Sequence, residues 1–256
     1  MSTPERAYKT RAIVLRARNL GEADRIYTLF TEVRGKLDAV AKGVRRTKSH
    51  IAGRLEFMNE AAFTLHRGRN LDVITSADLV STHWTGLVRP GAFGAASVVA
   101  ELVDAFCEPD LALPDAYALL RGASRGIARA EEPAALVPRF ALRLLDVLGF
   151  APASDLCVRC GGAFTGGQAW ADLDAGGLSC AACRPHRADN LELQVADLAS
   201  FRALGAPRAT ATPHSLRATP AAARAVDAFV NYHLGKRPKS TLLLAELAQV
   251  PASGAR

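Results

Sequence analysis

RAIVLRARNLGEADRIYTLFTEVRGKLDAVAKG, residues 11–43, is the stretch whose reading decides the fold. Three apolar runs are punctuated by turn residues at Gly21 and Gly35. In the second run Ile26, Thr28 and Phe30 fall on one face and Tyr27 and Leu29 on the other; in the third, Leu37, Ala39 and Ala41 alternate with Lys36, Asp38 and Lys42. That period of two is the mark of a half-buried strand, so three strands are expected. The polar segment VRRTKSHIAGRLE, 44–56, then predicts a short helix or an ordered loop. FMNEAAFTLH, 57–66, with Phe57, Ala61, Phe63 and Leu65 on one face, and LDVITSADL, 71–79, predict two more strands joined by the hairpin turn RGRN. Three strands, a short helical segment and two strands is the order of an OB-fold barrel, which binds oligonucleotides on its second and third strands and on the loops joining strands 1–2 and 4–5.

Charge supports the same end of the chain. The net charge is +7, and residues 1–75 hold 15 Lys and Arg against 8 Asp and Glu, whereas residues 76–256 hold 17 against 17. One-sided excess points to a polyanion, the alternative being a solvated basic face. On the expected barrel, Arg18 and Arg25 flank the first loop, Arg34 and Lys36 border the second turn, and Lys36 and Lys42 lie on the solvent side of the third strand. Arg45, Arg46 and Lys48 follow it, and Arg67 and Arg69 sit in the last loop. These ten residues are the expected nucleic-acid contacts. Tyr8, Tyr27 and Phe30 are the rings expected to stack on bases, too few to carry the affinity, so electrostatics should dominate.

Beyond residue 80 the pattern turns helical. AFGAASVVAELVDAFC, PDAYALLRGASRGIARA, EEPAALVPRFALRLLDVLGF, QVADLASFRALG, TPAAARAVDAFVNYHLG and KSTLLLAELAQV each place apolar residues at helical spacing, and Val226, Phe229, Val230 and His233 form one stripe. The chain is therefore expected to be an α+β multidomain protein: an OB-fold barrel over 1–80, a helical domain over 81–154 and 188–250, and a four-cysteine zinc loop over 155–187. The amino terminus lacks the apolar run of a secretory signal and no stretch is long enough to span a bilayer, so a cytoplasmic location is expected, nucleoid-associated if the barrel binds DNA.

In that compartment thiols stay reduced, which favours metal ligation over disulfides. CVRCGGAFTGGQAWADLDAGGLSCAAC, 157–183, holds four of the five cysteines as two Cys-x-x-Cys pairs, Cys157/Cys160 and Cys180/Cys183. That spacing is a four-thiolate zinc pattern, with a redox dithiol pair and unligated thiols as alternatives and His186 as a substitute ligand. Arg159, Arg184 and Arg187 stand near enough in sequence to offset thiolate charge, and Asp172 and Asp174 read as exposed turn residues. A closed four-ligand site has no open position for substrate, so one structural zinc is expected. Catalysis finds no support. GASRG, 122–126, matches the nucleophile-elbow pattern but both flanks read as helix, and Cys107 reads as a buried small residue.

GEADRIYTLFTEVRGKLDAVAKGVRRTKSHIAG (21–53), LHRGRNLDVITSADLV (65–80), PRFALRLLDVLGFAP (138–152) and VNYHLGKRPKS (230–240) together resemble segments of the bacterial recombination mediator family RecO. The resemblance implies an OB-fold, a helical domain and usually a zinc loop. It implies binding of single- and double-stranded DNA, annealing of complementary strands, and partnership with RecR and sometimes RecF to help RecA displace single-strand-binding protein (SSB). It also implies a grip on the acidic SSB C-terminal tail by the helical domain. Arg121, Arg139 and Arg143 are the cations expected there, placed by their helices and not by a matched motif. The rival readings are an RNA-binding module with the same two folds, and an enzyme, either a zinc hydrolase or a dithiol oxidoreductase.

Overall fold

The computed structural model describes residues 7–47, 49–185, 191–207 and 217–247; Lys48, His186 and Arg187 lie outside them. Five strands come first: β1 (Ala7–Leu20), β2 (Asp24–Thr31), β3 (Gly35–Ala41), β4 (Glu60–His66) and β5 (Asp72–Ser81). They close into a barrel in the order β1-β2-β3-β5-β4, all antiparallel except the short β3–β5 pairing, Ala39 opposite Asp72 and Val40 opposite Val73. This is the OB-like barrel expected. A 3-10 turn, Ala52–Leu55, fills the gap between β3 and β4. The β2–β3 turn is tied by Thr31, whose Oγ1 donates to Gly35 O at 2.9 Å and accepts from Arg34 N at 2.9 Å. Gly35 is obligatory there: its φ is +67° and a Cβ would stand 1.9 Å from Leu111 O.

The helices are α1 (Trp84–Leu87), α2 (Pro90–Phe106), α3 (Pro114–Arg129), α4 (Val137–Val147), α5 (Val195–Gly205), α6 (Pro220–Leu234) and α7 (Ser240–Leu247). α6 shows why its boundaries fall where they do. Thr219 Oγ1 accepts from Ala222 N at 3.3 Å, Pro220 occupies the first turn, and Gly235 stops the helix at φ +65°. Between α4 and α5 lies a small sheet the sequence did not suggest, β6 (Ala169–Asp172), β7 (Gly177–Ser179) and β8 (Glu192–Leu193), in the order β7-β6-β8.

Among the described residues there are two hydrophobic cores. The barrel encloses Tyr27, Leu29, Leu37, Phe63, Leu65 and Ile74. A larger one joins the helices to the outside of the barrel: Ile13, Leu15 and Phe30 belong to the same cluster as buried residues of α2, α3, α4 and α6. Ile13 and Phe30 are register partners, so together they give the β1–β2 ribbon an apolar outer face. Phe30 is fully buried, its ring 6.2 Å from Tyr117 of α3. Beside it the buried Glu60 of β4 accepts from Tyr117 Oη at 2.9 Å and from Ser81 Oγ at 3.2 Å, satisfying a carboxylate that would otherwise be costly there.

This second core corrects several expectations. Tyr27 and Phe30 are buried on opposite faces of β2, and Tyr8 donates its hydroxyl to Asp72 while Arg34 and Arg67 lie against its ring. None of the three offers a free ring to a base. Phe57 precedes β4 and packs against Phe93 of α2, 5.5 Å between centroids, instead of sharing the inner face with Phe63. His233 is exposed and stacks on Phe150. Ser124 is buried inside α3, far from the exposed turn a nucleophile elbow requires. The burial of Phe30 yields a test. Phe30→Ala should lower the unfolding free energy by about 3–5 kcal/mol, with barrel and helices losing stability together in a urea titration. Val33→Ala, at an exposed turn, should stay within about 0.5 kcal/mol of the parent.

Candidate nucleic-acid interface and metal centre

The basic residues expected to contact nucleic acid divide into two groups. Those of the first group are paired with acids. Lys36 donates to Asp104 O and pairs with Asp104 Oδ1 at 3.3 Å, and Arg16 pairs with the same carboxylate at 2.8 Å. Lys36 therefore faces α2 and is mostly buried, not on the solvent side as its place in the alternating pattern implied. Arg34 pairs with Asp110 at 2.6 Å and Asp72 at 3.5 Å, and Arg18 with Asp38 at 3.1 Å. Asp110 N also donates to Lys36 O at 3.0 Å, which pins the α2–α3 connection to β3.

The second group is exposed, except for the half-buried Arg25. Gly43 N donates to Asp24 Oδ1 at 2.7 Å, Arg45 N to Ala23 O at 3.0 Å, and Arg45 Nη1 to Gly21 O at 3.1 Å. These bonds stitch the segment after β3 onto the β1–β2 turn. They bring Lys42, Arg45 and Arg46 beside Arg25, whose Nε donates to Asn19 Oδ1 at 3.1 Å. Arg67 and Arg69 are exposed on the β4–β5 loop. None of these six forms an ion pair with a carboxylate among the described residues.

In the helical part the three expected tail contacts have partners of their own. Arg139 donates to Ala203 O, Leu204 O and Ala206 O at 2.9–3.1 Å, and Arg143 to Gly205 O at 3.0 Å and Asp146 at 2.6 Å. Both guanidinium groups thereby cap the carbonyl end of α5, where the helix dipole favours a cation. Arg121 stands 3.9 Å from Glu60.

The cysteine loop is built around its ligands. Gly161 N donates to Cys157 O at 2.8 Å and Cys183 N to Cys180 O at 3.0 Å, so each Cys-x-x-Cys pair forms a tight knuckle. Cys180 N reaches Cys157 Sγ at 3.3 Å. The four sulfurs all lie within 4.8 Å of one another, with Cys160 and Cys180 at 3.9 Å. Tetrahedral thiolates about 2.3 Å from one ion would be about 3.8 Å apart, so the cluster has the dimensions of a metal centre. Burial tends to raise Cys157, but N–H donors from Cys160, Cys180 and Arg159 bring its thiol down to about 6. The sulfurs of Cys160 and Cys180 push Cys183 up to about 12. A cation at the centre lets all four ionise together.

Sequence reasoning missed the support beneath these ligands. Asp172, expected at an exposed turn, is buried on β6. Its carboxylate accepts Nε of Arg159 and, at 2.9 Å, Nη2, and also Ala175 N at 3.2 Å. Arg159, between the first two ligands, is thus locked bidentately to the sheet. An Asp-x-Asp between two knuckles carries no local sign of this, because the partner is set by the fold of β6 and β7.

The matches to known proteins fit this architecture. A family model described as Recombination protein O N terminal matches residues 1–83, and one described as Recombination protein O C terminal matches residues 89–242. The chain belongs to the RecO family. It is 36% identical over 241 residues to the DNA repair protein RecO of Nocardioides sp., covering 91% of this chain and 97% of the relative. Over 182 residues it is 40% identical to the DNA repair protein RecO of Bifidobacterium adolescentis, covering 68% of this chain and 73% of the relative. Among the described residues of this RecO chain, no helix is long and apolar enough to cross a membrane.

Asp172→Ala should free Arg159 and lower the melting temperature, since the carboxylate's bonds to Arg159 and Ala175 are lost. In a chelator competition it should also weaken metal retention about 10- to 100-fold, as loss of ligand support does elsewhere. Asp174→Ala serves as the comparison and should have the smaller effect.

Proposed function

We propose that this RecO-family chain is a non-catalytic DNA-binding mediator of repair and recombination. The observation that carries the reading is the grouping of Arg25, Lys42, Arg45 and Arg46 around two loops stitched by hydrogen bonds, with Arg67 and Arg69 on the β4–β5 loop and, among the described residues, no carboxylate paired to any of them. Cations held on rigid backbone and left unneutralised suit phosphates better than they suit any internal role. Lys48, expected in the same group, lies outside the described residues. Arg18, Arg34 and Lys36 are engaged with acids and contribute less than their sequence positions promised.

Annealing follows without covalent chemistry. A cationic surface that contacts backbones screens the repulsion between two strands and leaves their base edges free to pair. With six cations each neutralising one phosphate, the log–log salt slope for single strands should be about −4, a loss of roughly 300-fold between 50 and 200 mM salt. Membership of the family further supports partnership with RecR, in some settings RecF, and with SSB, so that RecA loads onto SSB-coated DNA in a cytoplasmic, nucleoid-associated setting. The acidic-tail contact at Arg121, Arg139 and Arg143 is a separate proposal, and a tail must compete there with α5 carbonyls and two carboxylates.

Zinc is the metal proposed for Cys157, Cys160, Cys180 and Cys183. Four thiolates at tetrahedral spacing are its common structural donor set and leave no position for a substrate. The ion would brace a loop with few apolar residues, giving shape to the far side of the helical part.

Two measurements test the reading. Annealing of complementary oligonucleotides should proceed without ATP and fade above about 200 mM salt, and the salt slope for single-strand binding should approach −4. A slope shallower than about −1, or tighter binding to RNA than to DNA of the same length and sequence, would contradict the reading. Purified protein should carry one zinc and four masked thiols per chain, with Cys107 the fifth; two thiols that cycle with a dithiol reductant would instead mark an oxidoreductase.

A further inference from the structure

The barrel leaves a gap in any account of single-strand binding: its rings are not available to bases. Exposed rings do occur elsewhere, and three of them meet at one place. Phe150, just after α4, is 47% exposed, and Tyr232 near the end of α6 is 45% exposed. His233 lies between them, its ring 5.0 Å from Phe150 and 5.7 Å from Tyr232. Isolated exposed apolar residues need no explanation, but here the rings are grouped into one exposed aromatic patch.

Cations follow at once. Gly235 ends α6, and Lys236 and Arg237 come next, both exposed and neither in an ion pair among the described residues. The same segment runs on to Lys239 and Ser240, which line an open cleft of about 560 Å3 whose opposite wall includes Arg16 and Arg25 of the barrel. Carboxylates on that cleft are largely engaged. Glu101 accepts Lys239 N at 2.9 Å and Ser240 N at 2.7 Å, and Asp104 is held by Arg16 and Lys36. Cations thus line the cleft at Arg25 and Lys239, and Lys236 and Arg237 stand in sequence between Lys239 and the rings of α6.

We propose that Phe150, His233 and Tyr232, with Lys236 and Arg237 beside them, form a base-stacking site for single-stranded nucleic acid on the helical part of the molecule. The proposal rests on the DNA-binding reading above and extends it. Rings give every base a face to stack on, whatever its identity, and adjacent cations hold the phosphates. Bases inside a duplex are already stacked and do not reach the rings. The barrel cations then bind single and double strands alike, while this site favours the single strand.

The test compares a thymidine oligonucleotide with a duplex of equal length on the full chain. The double variant Phe150→Ala, Tyr232→Ala should bind the single strand about five- to thirty-fold more weakly. Its duplex affinity and salt slope should be unchanged, because no charge is removed. Tyr232→Trp should keep single-strand affinity, and the indole fluorescence should be quenched as the oligonucleotide binds. Both positions are exposed, and unchanged melting temperatures verify that the variants fold. If the double alanine variant binds like the parent while neutralising Lys42, Arg45 and Arg46 weakens binding, the stacking site is wrong and the barrel reading stands. Equal losses on single strand and duplex also overturn the site. A parent chain that binds neither nucleic acid sinks both readings.

Discussion

The apolar outer face of the β1–β2 ribbon is the constraint on which the rest of this molecule depends. Ile13, Leu15 and Phe30 cannot be buried inside a barrel already filled by Tyr27, Leu29 and Phe63, so the helices must cover them. α2 and α3 do so, and the buried Glu60, satisfied by Tyr117 and Ser81, gives the seam a directional polar contact. Burying such side chains stabilises by about 1.5–3 kcal/mol each, enough for a few residues to decide the relative placement of two structural units. The outer face of the barrel and the helices consequently share a core, beside the barrel's own interior, where the sequence pattern alone suggests two modules in series.

That packing also sorts the charges. Cations near the seam acquire acids from the helical side: Asp104 takes Arg16 and Lys36, and Asp110 takes Arg34. Away from it, the β1–β2 turn and the residues after β3 bond to each other through backbone groups and leave their guanidinium and ammonium groups outward. The basic surplus of the first third is thus not uniform. Part of it is structural, and the remainder is presented as a surface. Arginines of the helical part follow the structural pattern, with Arg89 donating to three α3-end carbonyls and Arg139 and Arg143 closing α5.

Much of this was legible in the sequence, for identifiable reasons. Strand alternation and helix spacing are local, so the five strands and the main helices stand close to where the pattern put them. The cysteine pairs were legible because metal ligation demands close spacing within each pair, and the sulfurs do converge. Period two identifies the two faces of a strand but does not reveal that both are buried, which is why Phe30 and Tyr27 looked available. Lys36 looked solvated because its partner is 68 residues away on α2. Asp172 looked like a turn residue because nothing beside it announces a buried bidentate contact. The errors share a cause: each concerns a partner supplied by tertiary packing.

The central claim is that outward, unpaired cations on the barrel bind nucleic acid and that paired ones do not. The most direct measurement compares two sets of neutralised variants by single-strand affinity across a salt titration. Replacing Arg45, Arg46, Arg67 and Arg69 with glutamine should make the log–log slope shallower by about 3, at ~0.7 per lost phosphate contact. Replacing Arg34 and Lys36 should leave the slope within about 0.5 of the parent while lowering stability. A parent slope retained by the first set, or lost by the second, would contradict the account.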